Sequence, residues 1–403
     1  MADVSKQIEF LKKGSADFVG EEDLAAKLKS GKKLKVKFGA DPSAPDLHLG
    51  HLVVLRKLKA FQDMGHEIIF LIGDFTGMIG DPSGKSETRK PLSRDDVKRN
   101  AKTYQDQIFK ILDPKKTRVV YNSAWLSKMD LVSVMKLMSQ YSMTRMLERA
   151  DFKERFKGNK EISIVEFLYP LMQGYDSVEL EADVELGGHD QIFNLLVGRE
   201  LQKTYGKPQQ VIITMPLLEG TDGTLKMSKS YGNYIGFTDS PKDIYGKTMS
   251  IPDSLMIKYY SLLTDLEESE TEAMEKALKS GDLHPKTAKS RLAKLLVSLF
   301  WGGSAAEKAA EEFDSVFKEN KLPEDIPLVK ISKSLLTGGT MPVSRLIAAS
   351  GLLESVGEAK RMIKGGGVKL DEVKVTDENL LVDLNKQRLI SVGKRKFARV
   401  ICA

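Results

Sequence analysis

Residues 34–73 constrain the fold more than any other stretch. LKVKFG (34–39) has the composition of a strand, and ADPSAPDLH (40–48) is a polar turn with two prolines. LGHLVVLRKLKAFQDMG (49–65) carries apolar residues at helical spacing and closes on a glycine, and EIIFLIG (67–73) is an apolar run of buried-strand length. Strand, helix and strand joined by short links form a βαβ unit, which implies a parallel sheet covered by helices. RVVYN (118–122), ADVELGG (182–188) and QQVIITMP (209–216) read as further strands, the last two bracketing a helix from about Asp190 to Tyr205. The spacing therefore predicts an α/β, doubly wound, Rossmann-like catalytic domain over residues 1–232, with 1–31 helical and 127–181 mostly helical.

Composition changes after Asn233. Residues 241–320 are rich in Ala, Leu, Lys and Glu and read as helices, and a linker follows with Pro323, Pro327, Gly338 and Gly339. The expected divisions are an α-helical domain with linker over 233–335 and a small α+β domain over 336–403. Residues 341–403 hold 12 Lys and Arg against 7 Asp and Glu, so five of the chain's net +6 charges lie there. A basic module on a neutral body points to a polyanionic partner, against the plainer reading of a solvated tail domain. The single cysteine, Cys402, excludes an intrachain disulfide and a cysteine-rich zinc site. No apolar run approaches the ~18 residues of a membrane span, and the first residues lack an apolar signal core. The expectation is a cytoplasmic protein with no membrane partner.

Five short motifs carry chemistry. His48-Leu49-Gly50-His51 sits where a strand-following loop opens a helix. There unpaired N–H groups favour phosphate, Gly50 permits close approach, and the imidazoles can donate. The alternative is that two of the chain's five histidines merely cap a helix. Lys226-Met227-Ser228-Lys229-Ser230 offers two cations and two hydroxyls able to bracket a pyrophosphate, or else a solvated basic loop. The glycine-rich run from Thr76 to Lys85, with Arg89 beyond, carries Asp81 for an ammonium and two cations for phosphate, or forms a capped surface turn. Tyr169, Gln173 and Asp176 lie at i, i+4 and i+7 of one helix face, which suits a small polar ligand or simply solvent. Gly187-Gly188-His189-Asp190-Gln191 follows a strand and opens a helix, with Asp190 able to accept from ribose or to cap.

In order and spacing, His48-Leu49-Gly50-His51 followed by Lys226-Met227-Ser228-Lys229-Ser230 resembles the class I aminoacyl-tRNA synthetases. FGADPSAPDLHLGH, GDFTGMIGDPSGK, YPLMQGYD, GGHDQ and DGTLKMSKS are similar to the bacterial tyrosyl-tRNA synthetases, in the branch with an intact lysine loop. VSRLIAASGLLESVGEAKRMIKGGGVKLDEVKV (343–375) is similar to the S4 RNA-binding domain that ends those enzymes. The resemblance spans the chain. It implies a homodimer, tRNA(Tyr), L-tyrosine and ATP with Mg²⁺, and formation of tyrosyl-adenylate before transfer to tRNA. It also implies roles. His48, His51, Gly39, Asp41, Gly50, Gly188, Asp190 and Lys229 would meet ATP. Lys85, Arg89, Lys226, Lys229 and Ser230 would meet departing pyrophosphate. Asp81, Tyr169, Gln173 and Gln191 would hold the amino acid's ammonium and carboxylate ends, and Asp176 would accept the phenol proton. Two positions depart from the family. Lys37 stands where many members have tyrosine beside the substrate hydroxyl, and a lysine can donate there too. His189 stands where Ser or Thr is usual. A tryptophanyl synthetase, a small-molecule nucleotidyltransferase and a non-catalytic RNA-binding relative are the competing readings. The first usually lacks the C-terminal domain, the second needs no RNA-side domains, and the third would have lost the signature residues.

Overall fold

The computed structural model describes residues 3–42, 44–81, 93–318, 326–336, 338–393 and 396–402. The chain divides into two compact units, residues 1–310 and 311–403.

The first unit is built on a six-stranded sheet. Its strands are β1 (Asp17–Val19), β2 (Lys35–Ala40), β3 (Glu67–Ile72), β4 (Thr117–Tyr121), β5 (Val184–Gly188) and β6 (Val211–Met215), in the order β1-β6-β5-β2-β3-β4. Strands β2 to β6 pair in parallel, as the βαβ reading requires. The edge strand β1 pairs antiparallel with β6 and lies in the segment the sequence reads as wholly helical. Three residues carry too little periodicity to show as a strand, and β1 exists because β6 offers it a partner. The helices Val4–Lys12 and Glu21–Lys29 flank it.

Central strands show continuous burial rather than alternation. Ile68 to Ile72 and Val211 to Met215 are all buried, as strands covered on both faces must be. The helix Leu49–Asp63 turns Leu49, Leu52, Val53, Leu55, Leu58 and Phe61 into that core. The helix Ile164–Leu180 opens on a Ser163–Glu166 capping box and packs on the helix Ile192–Thr204. The two backbones meet at glycines: a Cβ on Gly174 would lie 3.1 Å from the Gly198 Cα, so a larger residue would push the helices apart.

Connections from β2 run outward through β3 and β4, whereas β5 and β6 lie on the other side. The strand order therefore reverses between β2 and β5, and the crevice beyond their carboxyl ends is where open α/β sheets bind ligands. The helices Pro241–Met249, Met256–Leu263, Glu268–Ser280 and Pro285–Trp301 pack within this same unit. Arg56 reaches Asp265 at 2.7 Å and Lys258 reaches Glu219 at 2.7 Å.

The second unit has its own core, with Val343, Leu346, Ile347, Ile363, Val368, Ile390 and Val400 at its centre. Helices Val343–Ala349 and Val356–Lys364 pack with a sheet formed by β7 (Leu328–Ile331), β9 (Val368–Leu370), β10 (Val373–Lys374), β12 (Arg388–Val392) and β13 (Lys396–Cys402). A separate pair joins β8 (Thr340–Pro342) to β11 (Leu381–Asp383). The stretch read as linker thus contains β7, which pairs in parallel with β13. That strand depends on a partner some seventy residues away, which local sequence cannot display.

Candidate functional site

A cavity of about 620 Å³ opens at the β2–β5 reversal. Its lining draws on all five motifs: Gly39, Asp41, His48, Gly50 and His51 from β2 and the following turn; Thr76 and Asp81; Tyr169, Gln173 and Asp176; Gly188, Asp190 and Gln191; and Lys226 to Ser230. Lys37 is on its floor. Lys85 and Arg89 lie outside the described residues.

The histidine motif caps its helix, as the plainer reading expected, and both rings also line the cavity. His48 caps the helix, its Nδ1 accepting from the Gly50 amide at 3.2 Å, and His51 Nδ1 accepts from the His48 amide at 3.2 Å. Gly50 serves this arrangement, because a Cβ there would lie 2.9 Å from the His48 ring. Burial, followed by the neighbouring His51 and the two signature lysines, drives the His48 pKa well below its usual value. Burial takes His51 down to about 4. Both rings are therefore neutral at physiological pH. With Nδ1 accepting, the proton sits on Nε2, so each ring keeps one N–H donor.

Backbone bonds tie the histidine motif to residues 235–237, a few positions beyond the lysine motif. Leu49 N–H donates to Ile235 O at 3.0 Å and Phe237 N–H to Leu47 O at 3.0 Å, around an antiparallel bridge between His48 and Gly236. Asn233 ties the lysine loop down, its side-chain oxygen accepting from the Ser228 amide at 2.8 Å and its amide nitrogen donating to Asp222. The loop's cations rest on carboxylates at the cavity mouth: Lys226 on Asp190 at 3.1 Å and Lys229 on Asp46 at 2.7 Å. Asp46 is a participant the sequence reading did not single out.

The polar stripe of the helix Ile164–Leu180 faces inward, not to solvent. Tyr169 and Asp176 are buried. The Tyr169 hydroxyl donates to Asp41 Oδ2 at 2.9 Å, and Thr76 donates to Asp41 Oδ1 at 2.7 Å. Burial and then Asp41 raise the Tyr169 pKa well above 10, so it remains a neutral donor. Gln191 Nε2 donates to Asp81 Oδ2 at 2.9 Å, and Asn194 Nδ2 bridges Gln173 and Gln191 at 3.0 Å each. These groups form one cradle of acceptors at the middle of the cavity.

Asp176 closes the far end. Trp125 Nε1 donates to its Oδ1 at 2.8 Å and Asn122 Nδ2 to its Oδ2 at 3.2 Å. Burial pushes its pKa up to about 7, against the pull of Lys37, Trp125 and Asn122. Asn122 and Trp125 follow β4 directly, and their place at the carboxyl end of a strand was the signal that could have found them. Lys37, expected as a second donor to a ligand hydroxyl, is already engaged. Its ammonium lies 2.9 Å from Glu185 Oε1, 2.7 Å from Ser177 Oγ and 3.3 Å from Gln173 O. An ammonium has three protons, and three acceptors surround this one. His189 turns to Asp17 on the edge strand, Nδ1 to Oδ2 at 2.7 Å, and does not line the cavity.

The geometry thus offers neutral N–H donors and paired lysines at the mouth, an acceptor cradle in the middle and one buried carboxylate at the end. Comparisons with known proteins give the family. A family described as tRNA synthetases class I (W and Y) matches residues 29–318, and an S4 domain matches residues 341–387. The tyrosine–tRNA ligase of Carboxydothermus hydrogenoformans is 51% identical over 99% of this chain and 98% of its own length. That of Geobacter sulfurreducens is 52% identical over 99% and 100%. Among solved structures, the tyrosyl-tRNA synthetase of Archaeoglobus fulgidus complexed with L-tyrosine superposes with a TM-score of 0.64 over 76% of this chain and all of that one, at 24% identity, which speaks to the fold. With half its residues shared end to end with these enzymes, the chain belongs to the tyrosine–tRNA ligase family of class I aminoacyl-tRNA synthetases.

Proposed function

We propose that the cavity at the β2–β5 reversal is where this ligase forms tyrosyl-adenylate, with each motif in a definite role. The activity is tyrosine–tRNA ligation: tyrosine is activated with ATP, pyrophosphate leaves, and the tyrosyl group passes to the 3'-terminal adenosine of tRNA(Tyr). The observation that carries the site assignment is the convergence of all five motifs on one cavity with a buried carboxylate at its end.

In this reading the phenol of tyrosine donates to Asp176, and its ammonium rests among Tyr169, Gln173 and Asp81, with Gln191 beside it. The substrate carboxylate then attacks the α-phosphorus in line, and the bond to the β-phosphate oxygen breaks. His48 and His51 donate Nε2–H to phosphate oxygens without needing to be protonated. Gly39, Asp41, Gly50, Gly188 and Asp190 shape the nucleotide's seat. Lys226, Lys229 and Ser230, with Lys85 and Arg89, neutralise the charge that gathers on pyrophosphate. No covalent enzyme intermediate is needed, so positioning and charge stabilisation supply the catalysis. ATP enters as its Mg²⁺ salt, the ion being part of the substrate. We place the enzyme in the cytoplasm, where its tRNA is.

Transfer of tyrosine requires tRNA to be held, and the basic second unit is the proposed handle. Arg345, Arg361, Lys364, Lys369 and Lys374 are exposed on it. Removing residues 320–403, which takes β7 out with its sheet, is expected to leave tyrosine-dependent ATP–pyrophosphate exchange within about twofold. Charging of tRNA should fall by more than tenfold, since each lost phosphate contact weakens binding. Equal loss of both activities would overturn this division of labour.

A homodimer is supported by apolar surface in the first unit. Leu131, Val132, Met135 and Met138 on one short helix are 74%, 73%, 61% and 40% exposed, and Met143, Phe156 and Ile164 nearby in sequence are also exposed. Sedimentation analysis of the double variant V132E/M135E should show monomers. A dimer of unchanged stability would place the interface elsewhere.

A further inference from the structure

Lys37 and Glu185 face one another across the point where the strand order reverses. They are register partners in β2 and β5, so their side chains project from the same face of the sheet. Both are buried, with side-chain exposures of 0% and 2%. Glu185 Oε2 also accepts from Ser177 Oγ at 2.7 Å and from Gln210 Nε2 at 2.6 Å. Lys37 in turn bonds Ser177 Oγ and the carbonyl of Gln173. The pair thus grips one turn of the helix Ile164–Leu180, residues 173 to 177, and that turn carries both Gln173 and Asp176.

A buried ion pair is costly to desolvate and gives little net stability compared with an apolar pair of the same volume. Its presence under the substrate pocket therefore calls for another account. The ammonium already makes two hydrogen bonds and an ion pair inside the protein, so a direct bond to the substrate hydroxyl is not needed in that account. What remains is position and charge. The charged and titratable groups facing Asp176 are Lys37 from β2, Glu185 from β5 and Tyr169 on its own helix, beyond which lie Asp41 and Asp81. Asn122 and Trp125, from the segment after β4, bring neutral donors.

We infer that Lys37 and Glu185 are positioning residues for tyrosine selection: together they fix the depth of the turn 173–177 and, with opposite signs, set the charge of Asp176. This rests on Asp176 being the acceptor of the phenol proton. Lys37 favours the carboxylate and Glu185 opposes it, so removing each moves the ionisation of Asp176 in opposite directions.

The test is the pH profile of kcat/KM for tyrosine in ATP–pyrophosphate exchange, which reports ionisations of the free enzyme. Wild type should show an acid limb near 7, with activity rising as Asp176 ionises, and D176N should lack that limb. K37M should move the limb up by about one unit and raise KM for tyrosine, and E185Q should move it down by about one unit. A loss of packing alone gives no such opposition. A limb that stays put in both variants, or moves the same way in both, overturns the inference. So does a K37M that loses tyrosine affinity with an unmoved limb, which would mean a direct contact. If K37M does not fold, the downward shift in E185Q decides. If D176N retains the limb, the reading of Asp176 itself fails, and that outcome is distinct from a failure confined to Lys37 and Glu185.

Discussion

Asp176→Asn is expected to lower kcat/KM for tyrosine activation by about 10²-fold or more, while KM for ATP stays near its original value. The substitution keeps the shape of the side chain and removes its charge. A hydrogen bond to a charged group is worth roughly 1.5–3 kcal/mol, a factor of about ten to a hundred and fifty. A second cost follows from the surroundings. Both carboxylate oxygens already accept N–H bonds, from Trp125 and from Asn122. An asparagine must turn its own NH₂ toward one of those donors, so the pocket loses an acceptor and gains a clash of like partners. Discrimination against phenylalanine should narrow as well. In the native site an entering phenyl ring brings no donor, so the buried carboxylate keeps only its bonds from Trp125 and Asn122. Steady-state exchange with the two amino acids measures both effects. Unchanged tyrosine kinetics would remove Asp176 from the phenol site.

Lys229→Ala is expected to depress kcat for exchange by roughly 10²–10³-fold, the usual effect of deleting one preorganised group aimed at developing charge. KM for tyrosine should move little, because the lysine stands at the opposite end of the cavity from Asp176. Its present partner is Asp46, at 2.7 Å, and Lys226 is likewise held by Asp190. On the proposed roles phosphate displaces these carboxylates, so binding of ATP would exchange one anion for another around a cation already in place. Rapid-quench measurement of adenylate formation separates the chemical step from release. A variant that forms adenylate at the native rate would show that Lys229 serves another step.

Much of this site was legible in the sequence because its residues come as contiguous motifs at strand ends. The βαβ pattern of residues 34–73 rests on local periodicity, and the parallel sheet follows from it. The i, i+4, i+7 spacing of Tyr169, Gln173 and Asp176 named a helix face, although periodicity alone did not say whether it met a cavity or water. What escaped the sequence depends on pairing at a distance. Strand β1 is three residues that only β6 turns into a strand. The engagement of Lys37 follows from the β2–β5 register, which places Glu185 beside it although the two are 148 positions apart in the chain. Asn122, Trp125 and Asp46 act on groups from other motifs, so no single motif announces them. His189, a departure from its family's pattern, finds its carboxylate on β1, the strand the sequence hid.

The most direct test of the central claim is ATP–pyrophosphate exchange by the full chain with tyrosine, tryptophan and phenylalanine in parallel. Robust exchange with tyrosine and only background with the other two is the expected result, since phenylalanine brings Asp176 no donor and the indole N–H of tryptophan sits elsewhere on its ring than the phenol hydroxyl. Exchange driven equally well by tryptophan or phenylalanine would contradict it, because a pocket ending in that carboxylate could not then be reading the hydroxyl.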